Sequence, residues 1–336
     1  MEFGGYNTLD KAGKEYYTEE KYPNLIRFNA ARYAMVYAVK CAGFSKVWIP
    51  FYLCKSVYDA FVKYNIVCHF YSLDENNEPD ISMIEPDEAI VIVNYFGLKN
   101  DNYYDECCSK YKNVIFDNTQ AFFAKPIMKR NVYNVYSPRK FVGVSDGAYL
   151  ISLELEYMKS YDEMNIEIDM SGERACHIFK AIEGSVNSYY YDSLKAEKEI
   201  EESGIKYMSV LTRQMLDLVD YDYIKNARIS NFRILEKNFN EINILKPKYN
   251  DGCPMVYPLL IENGHKIRQE LVKRKVFVPQ WWKWILEDEL VNNSINSTEK
   301  RLALDLVPVP VDQRINEESM CTLIDIIGDV IGKHRG

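Results

Sequence analysis

Between Lys46 and Ser152, short apolar runs alternate with stretches whose apolar residues recur at helical spacing. Lys46–Ile49, Ile66–Tyr71, Ala89–Val93, Val114–Phe116, Val132–Tyr136 and Ala148–Ser152 read as strands. Ala89–Val93 has the uninterrupted apolar character of a strand buried on both faces. Lys55–Tyr64 and Tyr103–Tyr111 read as helices. Such alternation predicts a largely parallel sheet with helices on both sides. After Leu153 the segments become longer, charged and helical, over Asp192–Glu202, Ser209–Val219 and Ile224–Phe239. Cys253–Ile261 and Val276–Val278 then read as strands, and Lys266–Arg274 and Glu318–Val330 as helices. The pattern predicts an α/β protein with a large, mostly parallel sheet domain over 1–223 and a small C-terminal α+β domain over 224–336.

Composition narrows the function. A chain of 336 residues with 47% hydrophobic content can bury two cores of that size. The net charge of −8 argues against a nucleic-acid partner, since phosphate backbones are held by excess Lys and Arg. The eight cysteines contain no CxxC pair and the four histidines are scattered, so neither a zinc site nor a disulfide framework is expected. Met1–Asp10 has no apolar core of a signal peptide, and no apolar run approaches the roughly 20 residues of a membrane helix. A cytoplasmic protein without a membrane partner is the expectation.

Three places carry candidate chemistry. In Val114–Gln120 an aspartate, Asp117, directly follows an apolar strand, where burial without a partner is costly. A pyridinium nitrogen would satisfy it, with Gln120 reaching the ring oxygen; capping of the next helix is the alternative. In Tyr136-Ser137-Pro138-Arg139-Lys140 a lysine sits between a strand and a Gly-containing turn. A desolvated lysine there can form an imine with an aldehyde, whereas a solvated surface lysine needs no function. In Phe28-Asn29-Ala30-Ala31-Arg32 small residues open a helix, so a phosphate can approach its free amides with Arg32 beside it. The same residues also make an ordinary helix start.

Taken in order, these segments resemble the DegT-type sugar aminotransferases, which are fold-type I enzymes dependent on pyridoxal 5′-phosphate (PLP). Asn29–Met35 is similar to the family's SGT-x-AL phosphate-binding start, and Ile49–Cys54 to its segment after the second motif strand. Asn94-Tyr95-Phe96-Gly97 resembles its H-x-Y-G turn, Val114–Ala121 its VIEDAAQA, and Lys140–Leu150 its lysine-DGG stretch. Val309–Arg314 followed by Met320 resembles the family's closing motif. The resemblance implies Lys140 as the imine-forming lysine and Asp117 as partner of the pyridine nitrogen. It implies Gln120 against the ring or its O3′, the Ala31 and Arg32 amides on the phosphate, and Ser137 as a further phosphate ligand. It also implies a homodimer with shared active sites, moving an amino group from a donor such as glutamate to a carbonyl acceptor, with a nucleotide-linked keto sugar as the family's acceptor type. The dehydratase branch has histidine in place of the lysine, so Lys140 favours transamination over that alternative; the altered phosphate site keeps a non-catalytic sensor or scaffold as the other. No GxGxxG follows a strand, which disfavours a dehydrogenase.

The chain departs from the family in places. Gly-Thr of the phosphate site is Ala31-Arg32, and Val135 holds the family's serine position, so Ser137 serves only with a local shortening. The aromatic expected to stack on the cofactor falls at Cys54, leaving Tyr52 as the substitute; Gly-Gly after the lysine is Gly147-Ala148. Trp281-Trp282-Lys283-Trp284 reads as edge or interface packing rather than a substrate wall. Tyr189-Tyr190-Tyr191 and Gly4-Gly5-Tyr6 are weaker candidates for a partner contact and a site cover.

Overall fold

The computed structural model describes residues 9, 13–155, 165–184 and 189–335; Gly4-Gly5-Tyr6 lies outside them. Its centre is an eight-stranded sheet of β1 (Leu25–Phe28), β2 (Val47–Pro50), β3 (Cys68–Leu73), β4 (Pro79–Asp80), β5 (Ala89–Val93), β6 (Val114–Asn118), β7 (Val132–Tyr136) and β8 (Ala148–Ile151). The spatial order is β1-β8-β7-β6-β5-β2-β3-β4. Strands β7, β6, β5, β2 and β3 pair in parallel; β8 runs antiparallel between β7 and β1, and β4 antiparallel to β3. Every residue of β5 and β6 is buried, which is why their sequences show apolar runs rather than alternation.

Helices α1 (Ala31–Ala42), α2 (Lys55–Lys63) and α3 (Asp101–Lys110) connect these strands. The chain continues through α4 (Gly172–Glu183), α5 (Tyr190–Ser203), α6 (Val210–Leu216) and the long α7 (Tyr221–Phe239). A second core then forms around an antiparallel ribbon of β9 (Val256–Leu260) and β10 (Leu306–Pro310), with α7, α8 (Gly264–Lys273) and a closing helix, Glu317–Arg335. Phe232, Leu235, Tyr257, Leu271, Val309 and Ile327 meet in it. Between β9 and β10, α9 (Trp284–Glu287), α10 (Glu289–Ser294) and α11 (Ser297–Asp305) return to the first core through Ile285, Ile295 and Leu302. The closing helix is therefore α12.

Ala89–Val93 and Val132–Tyr136 fall where the apolar pattern predicts them. Val276–Val278 is not a strand: Val276 and Val278 are buried in the second core with Phe277 exposed between them, so the alternation reflects packing without a ladder. The pattern also misses β1, β10, α4 and α9–α11.

Candidate active site

In the sheet order, β3 and β2 lie on one side of β5, and β6, β7 and β8 on the other. Such a reversal leaves a crevice at the carboxyl ends of the strands, where open α/β sheets bind ligands. A cavity occupies that position. Its walls include Ala31 and Arg32 from the start of α1, Cys54 after β2, and Val93 at the end of β5. Asp117 and Gln120 come from the end of β6, and Ser137, Arg139 and Lys140 from the turn after β7. Met255, Trp281 and Trp282 close it from the far side.

Local structure fixes each group. Asn29 is fully buried; its N–H donates to the Lys206 carbonyl (2.9 Å) and its own carbonyl accepts from the Gly147 N–H (2.7 Å), locking the approach to α1. The N-cap of α1 is Ala30, which has no side chain to cap the first amides. Arg32 is buried over the Tyr33 ring, and its Nε and Nη2 have no hydrogen-bond partner among the described residues. Arg139 donates through Nη2 to Glu197, also on the wall, while its Nε is likewise unpartnered. Ser137 heads a 3-10 turn, Pro138–Lys140, and its side chain is not used as a cap. That turn brings Ser137 and Lys140 to one wall, while Val135 stays buried inside β7.

Asp117 Oδ1 accepts from the Thr119 N–H at 2.9 Å. Burial pushes its carboxyl pKa above the ordinary aspartate value, against the Thr119 hydrogen bonds and the charge of Lys140. Gln120 Oε1 accepts from the Phe96 N–H at 2.7 Å, so its amide NH₂ is the end free to donate into the cavity. This contact depends on a tight turn: Phe96 has φ 64° and Gly97 φ 75°. A Cβ on Gly97 would stand 2.6 Å from both the Cys253 and Gln120 carbonyl oxygens.

Lys140 is open to water on the cleft side yet surrounded by protein on the others. Desolvation lowers its ammonium pKa; the nearby Cys54 and Asp117 oppose this, and Arg139 and Arg32 reinforce it. The water-accessible side makes the desolvation partial, but two guanidinium groups act in the same downward sense. Arg139 is itself lowered to about 10 by burial and then by Arg32. Arg32, Arg139 and Lys140 thus form a cluster of cations on the wall, with unpartnered N–H donors on both arginines among the described residues.

A wider cleft of about 1000 Å³ adjoins the cavity and shares Arg139, Lys140, Met255 and Trp281 with it. Arg228 on α7 and Gln313 after β10 both line this cleft and reach its floor. Arg228 of α7 donates to the Met255 carbonyl (3.1 Å) and lies over the Phe141 ring at 4.6 Å, and Gln313 Nε2 donates to the Phe141 carbonyl at 3.0 Å. The residue next to Lys140 is therefore held from the C-terminal part of the chain.

No family model matches the chain, and no curated protein is significantly similar in sequence. Solved structures do match. The sugar aminotransferase CalS13 of Micromonospora echinospora superposes with a TM-score of 0.66 at 13% identity, over 92% of this chain and 88% of that one. PseC of Helicobacter pylori, an aminotransferase involved in the biosynthesis of pseudoaminic acid, gives 0.61 at 14% identity, over 92% and 87%. Spr1654 of Streptococcus pneumoniae in its PLP form gives 0.66 at 12% identity, over 93% and 88%. The fold is that of the sugar aminotransferases.

Within this aminotransferase fold, Ala31, Arg32, Asp117, Gln120, Ser137 and Lys140 line one cavity. Tyr52 does not. Its ring is fully buried behind the wall, edge-on to Trp282 at 4.6 Å, and its hydroxyl donates to the Trp281 carbonyl at 3.0 Å. Trp281 and Trp282, read from the sequence as edge packing, are instead on the wall. Arg139 and Glu197 also line the cavity without having been singled out; the position of Arg139 beside Lys140 is the signal by which it could have been found. Among the described residues no group of three or more His, Cys, Asp or Glu side chains can hold a metal, and no helix is long and apolar enough to cross a membrane.

Proposed function

We propose that this chain binds PLP and is an aminotransferase, taking an amino group from an amino acid such as glutamate and passing it to a carbonyl acceptor, with a nucleotide-linked keto sugar as the acceptor class. The observation that carries the reading is one cavity holding a lysine, a buried aspartate and unpartnered arginine N–H groups. These fit the three ends of the cofactor. The uncapped amides of α1, Arg32 and Arg139 suit a phosphate dianion, and Ser137 has a hydroxyl to add. Asp117, desolvated and without a cationic hydrogen-bond partner, suits a protonated ring nitrogen.

When bound, PLP supplies an aldehyde and a ring that withdraws electrons from the substrate's Cα. Lys140 Nζ, whose charged form is disfavoured by desolvation and by Arg139 and Arg32, would be the group that moves the Cα proton. Asp117 would hold a proton on the ring nitrogen. Gln120, its Oε1 occupied by the Phe96 N–H, would offer its amide N–H to the ring oxygen. The cleft beyond Lys140 is far larger than an amino acid requires, which supports a bulky acceptor. The homodimer belongs to the same proposal: Phe179 and Ile182, exposed on the cleft rim, and exposed Tyr191 are surface that a second copy would cover.

The test is reconstitution with PLP followed by borohydride and peptide mapping. Cofactor is expected on the peptide containing Lys140 in the wild type and on no peptide in Lys140→Ala. Added L-glutamate should convert the bound cofactor's absorption to that of pyridoxamine phosphate. Protein that takes up no PLP would end the proposal, and uptake without conversion by any amino acid would leave a different PLP reaction.

A further inference from the structure

We infer that Trp282 supplies the aromatic platform for the cofactor ring, and that Trp281 forms the partition between that ring and the substrate cleft. The inference rests on the PLP reading above. A ring gripped at one end by Asp117 and at the other by Lys140 must lay its faces on the remaining walls. Among the described residues lining that cavity, Trp281 and Trp282 are the only aromatic ones. Cys54, on the same wall, has no ring to offer, and Tyr52 is buried behind it.

Both indoles are held in place by a second layer. Their rings lie 6.1 Å apart at 20° to one another. Trp282 is braced by the edge of Tyr52 at 4.6 Å and by Tyr95 at 6.4 Å. Trp281 stacks on Phe96 at 6.3 Å and 11°, and its carbonyl accepts from the Tyr52 hydroxyl. Phe96 is the residue whose N–H holds Gln120, so the platform and the ring-oxygen donor share one support. Trp282 lines the inner cavity alone, whereas Trp281 lines both the inner cavity and the wide cleft. That difference assigns their separate roles. The C-terminal part of the chain thereby provides a contact that the first half lacks at Cys54.

PLP titrations of Trp282→Leu, Trp282→Phe, Trp281→Phe and, as a control, Trp48→Phe test the assignment. Trp48 lies on β2 with its Nε1 donating to Glu88, outside the cavity. Loss of an aromatic stacking partner is worth about a three- to tenfold rise in the dissociation constant, expected for Trp282→Leu. Trp282→Phe should recover most of the affinity, and Trp48→Phe should match the wild type. Trp281→Phe should keep the PLP affinity while raising the KM of the acceptor. Energy transfer from indole to bound PLP gives a readout that needs no turnover and no leucine variant. It should fall more in Trp282→Phe than in Trp48→Phe, with Trp281, 6.1 Å away on the same wall, supplying the remainder. Wild-type affinity in Trp282→Leu, or a fall in transfer no larger in Trp282→Phe than in Trp48→Phe, overturns the assignment while leaving the cofactor reading intact; a wild type that binds no PLP overturns both.

Discussion

Replacing Arg32 by methionine separates a ligand-binding arginine from a structural one, because the two roles predict opposite signs. Among the described residues, Nε and Nη2 of Arg32 are buried with no acceptor. Each unpaired donor costs about 1–3 kcal/mol, and the charge also acts unfavourably on Arg139 and Lys140. Methionine keeps the apolar stem that packs in the wall and removes those costs. The cofactor-free variant should therefore be more stable, by on the order of 1 kcal/mol, or roughly 1–2 °C in Tm for a chain of this size. Binding moves the other way. If both N–H groups reach the phosphate, each charge-assisted bond contributes about 1.5 kcal/mol at the low end of its range, and losing the pair raises the dissociation constant roughly 150-fold. Differential scanning fluorimetry with and without PLP, together with equilibrium dialysis, reads both quantities. A cofactor-free Tm that drops by several degrees, with PLP affinity unchanged, would refute the reasoning and make Arg32 a packing residue.

Three further perturbations follow from the same geometry. Asp117→Asn removes a charge that raises the Lys140 pKa, so labelling of Lys140 by trinitrobenzenesulfonate in the cofactor-free protein, which grows as the amine deprotonates, should shift to lower pH; a shift upward would contradict the placement. Gly97→Ala drives a Cβ to 2.6 Å from two backbone oxygens at a positive φ, and should cost at least about 1–3 kcal/mol in urea denaturation while weakening PLP binding through Gln120. Glu88 is held down to about 2 by its hydrogen bonds to Lys46 and then Trp48. A carboxylate lowered in the folded state stabilises it above the ordinary glutamate value of 4.5 and loses that contribution as pH falls towards about 2. The Tm deficit of Glu88→Gln should thus be full at neutral pH and shrink across that window; a pH-independent deficit would exclude the ion pair as its source.

Much of the sheet was legible because its strands are buried on both faces. Ala89–Val93 and Val132–Tyr136 carry their boundaries in composition, even with Asn134 inside β7; its Nδ2 donates to the Ile151 carbonyl at 3.0 Å and its Oδ1 accepts from the Ile127 N–H at 2.9 Å. β1 was missed because Arg27 sits in the middle of it. That charge is tolerated through Glu15 at 2.9 Å and through Glu19, partners the local pattern does not announce. β10 was missed because Pro308 and Pro310 argue against a strand. It pairs only with β9, where Pro308 faces Pro258, so neither position is asked for an N–H from both sides. For α11 the signal was present: Asn296 and Glu299 form a capping box, a spacing that marks a helix start without tertiary knowledge.

The site divides along the same physical line. That Asp117 and Lys140 share a cavity was legible because an ionisable group beside an apolar strand carries a desolvation cost, and a residue type placed against its cost asks for a partner. Trp281 and Trp282 could not. An indole is equally at home in a core, at an interface or on a ligand wall, so its identity does not distinguish those environments. What places these two on the wall is contact across the whole length of the chain: the Tyr52 hydroxyl donates to the Trp281 carbonyl 229 residues away, and Trp284 Nε1 donates to the Leu53 carbonyl 231 residues away. The same contacts keep Tyr52, the substitute suggested for the ring missing at Cys54, off the cavity wall. Its ring is buried against Trp282 and its hydroxyl donates to the Trp281 carbonyl, so it braces the tryptophans from behind the wall and does not line it.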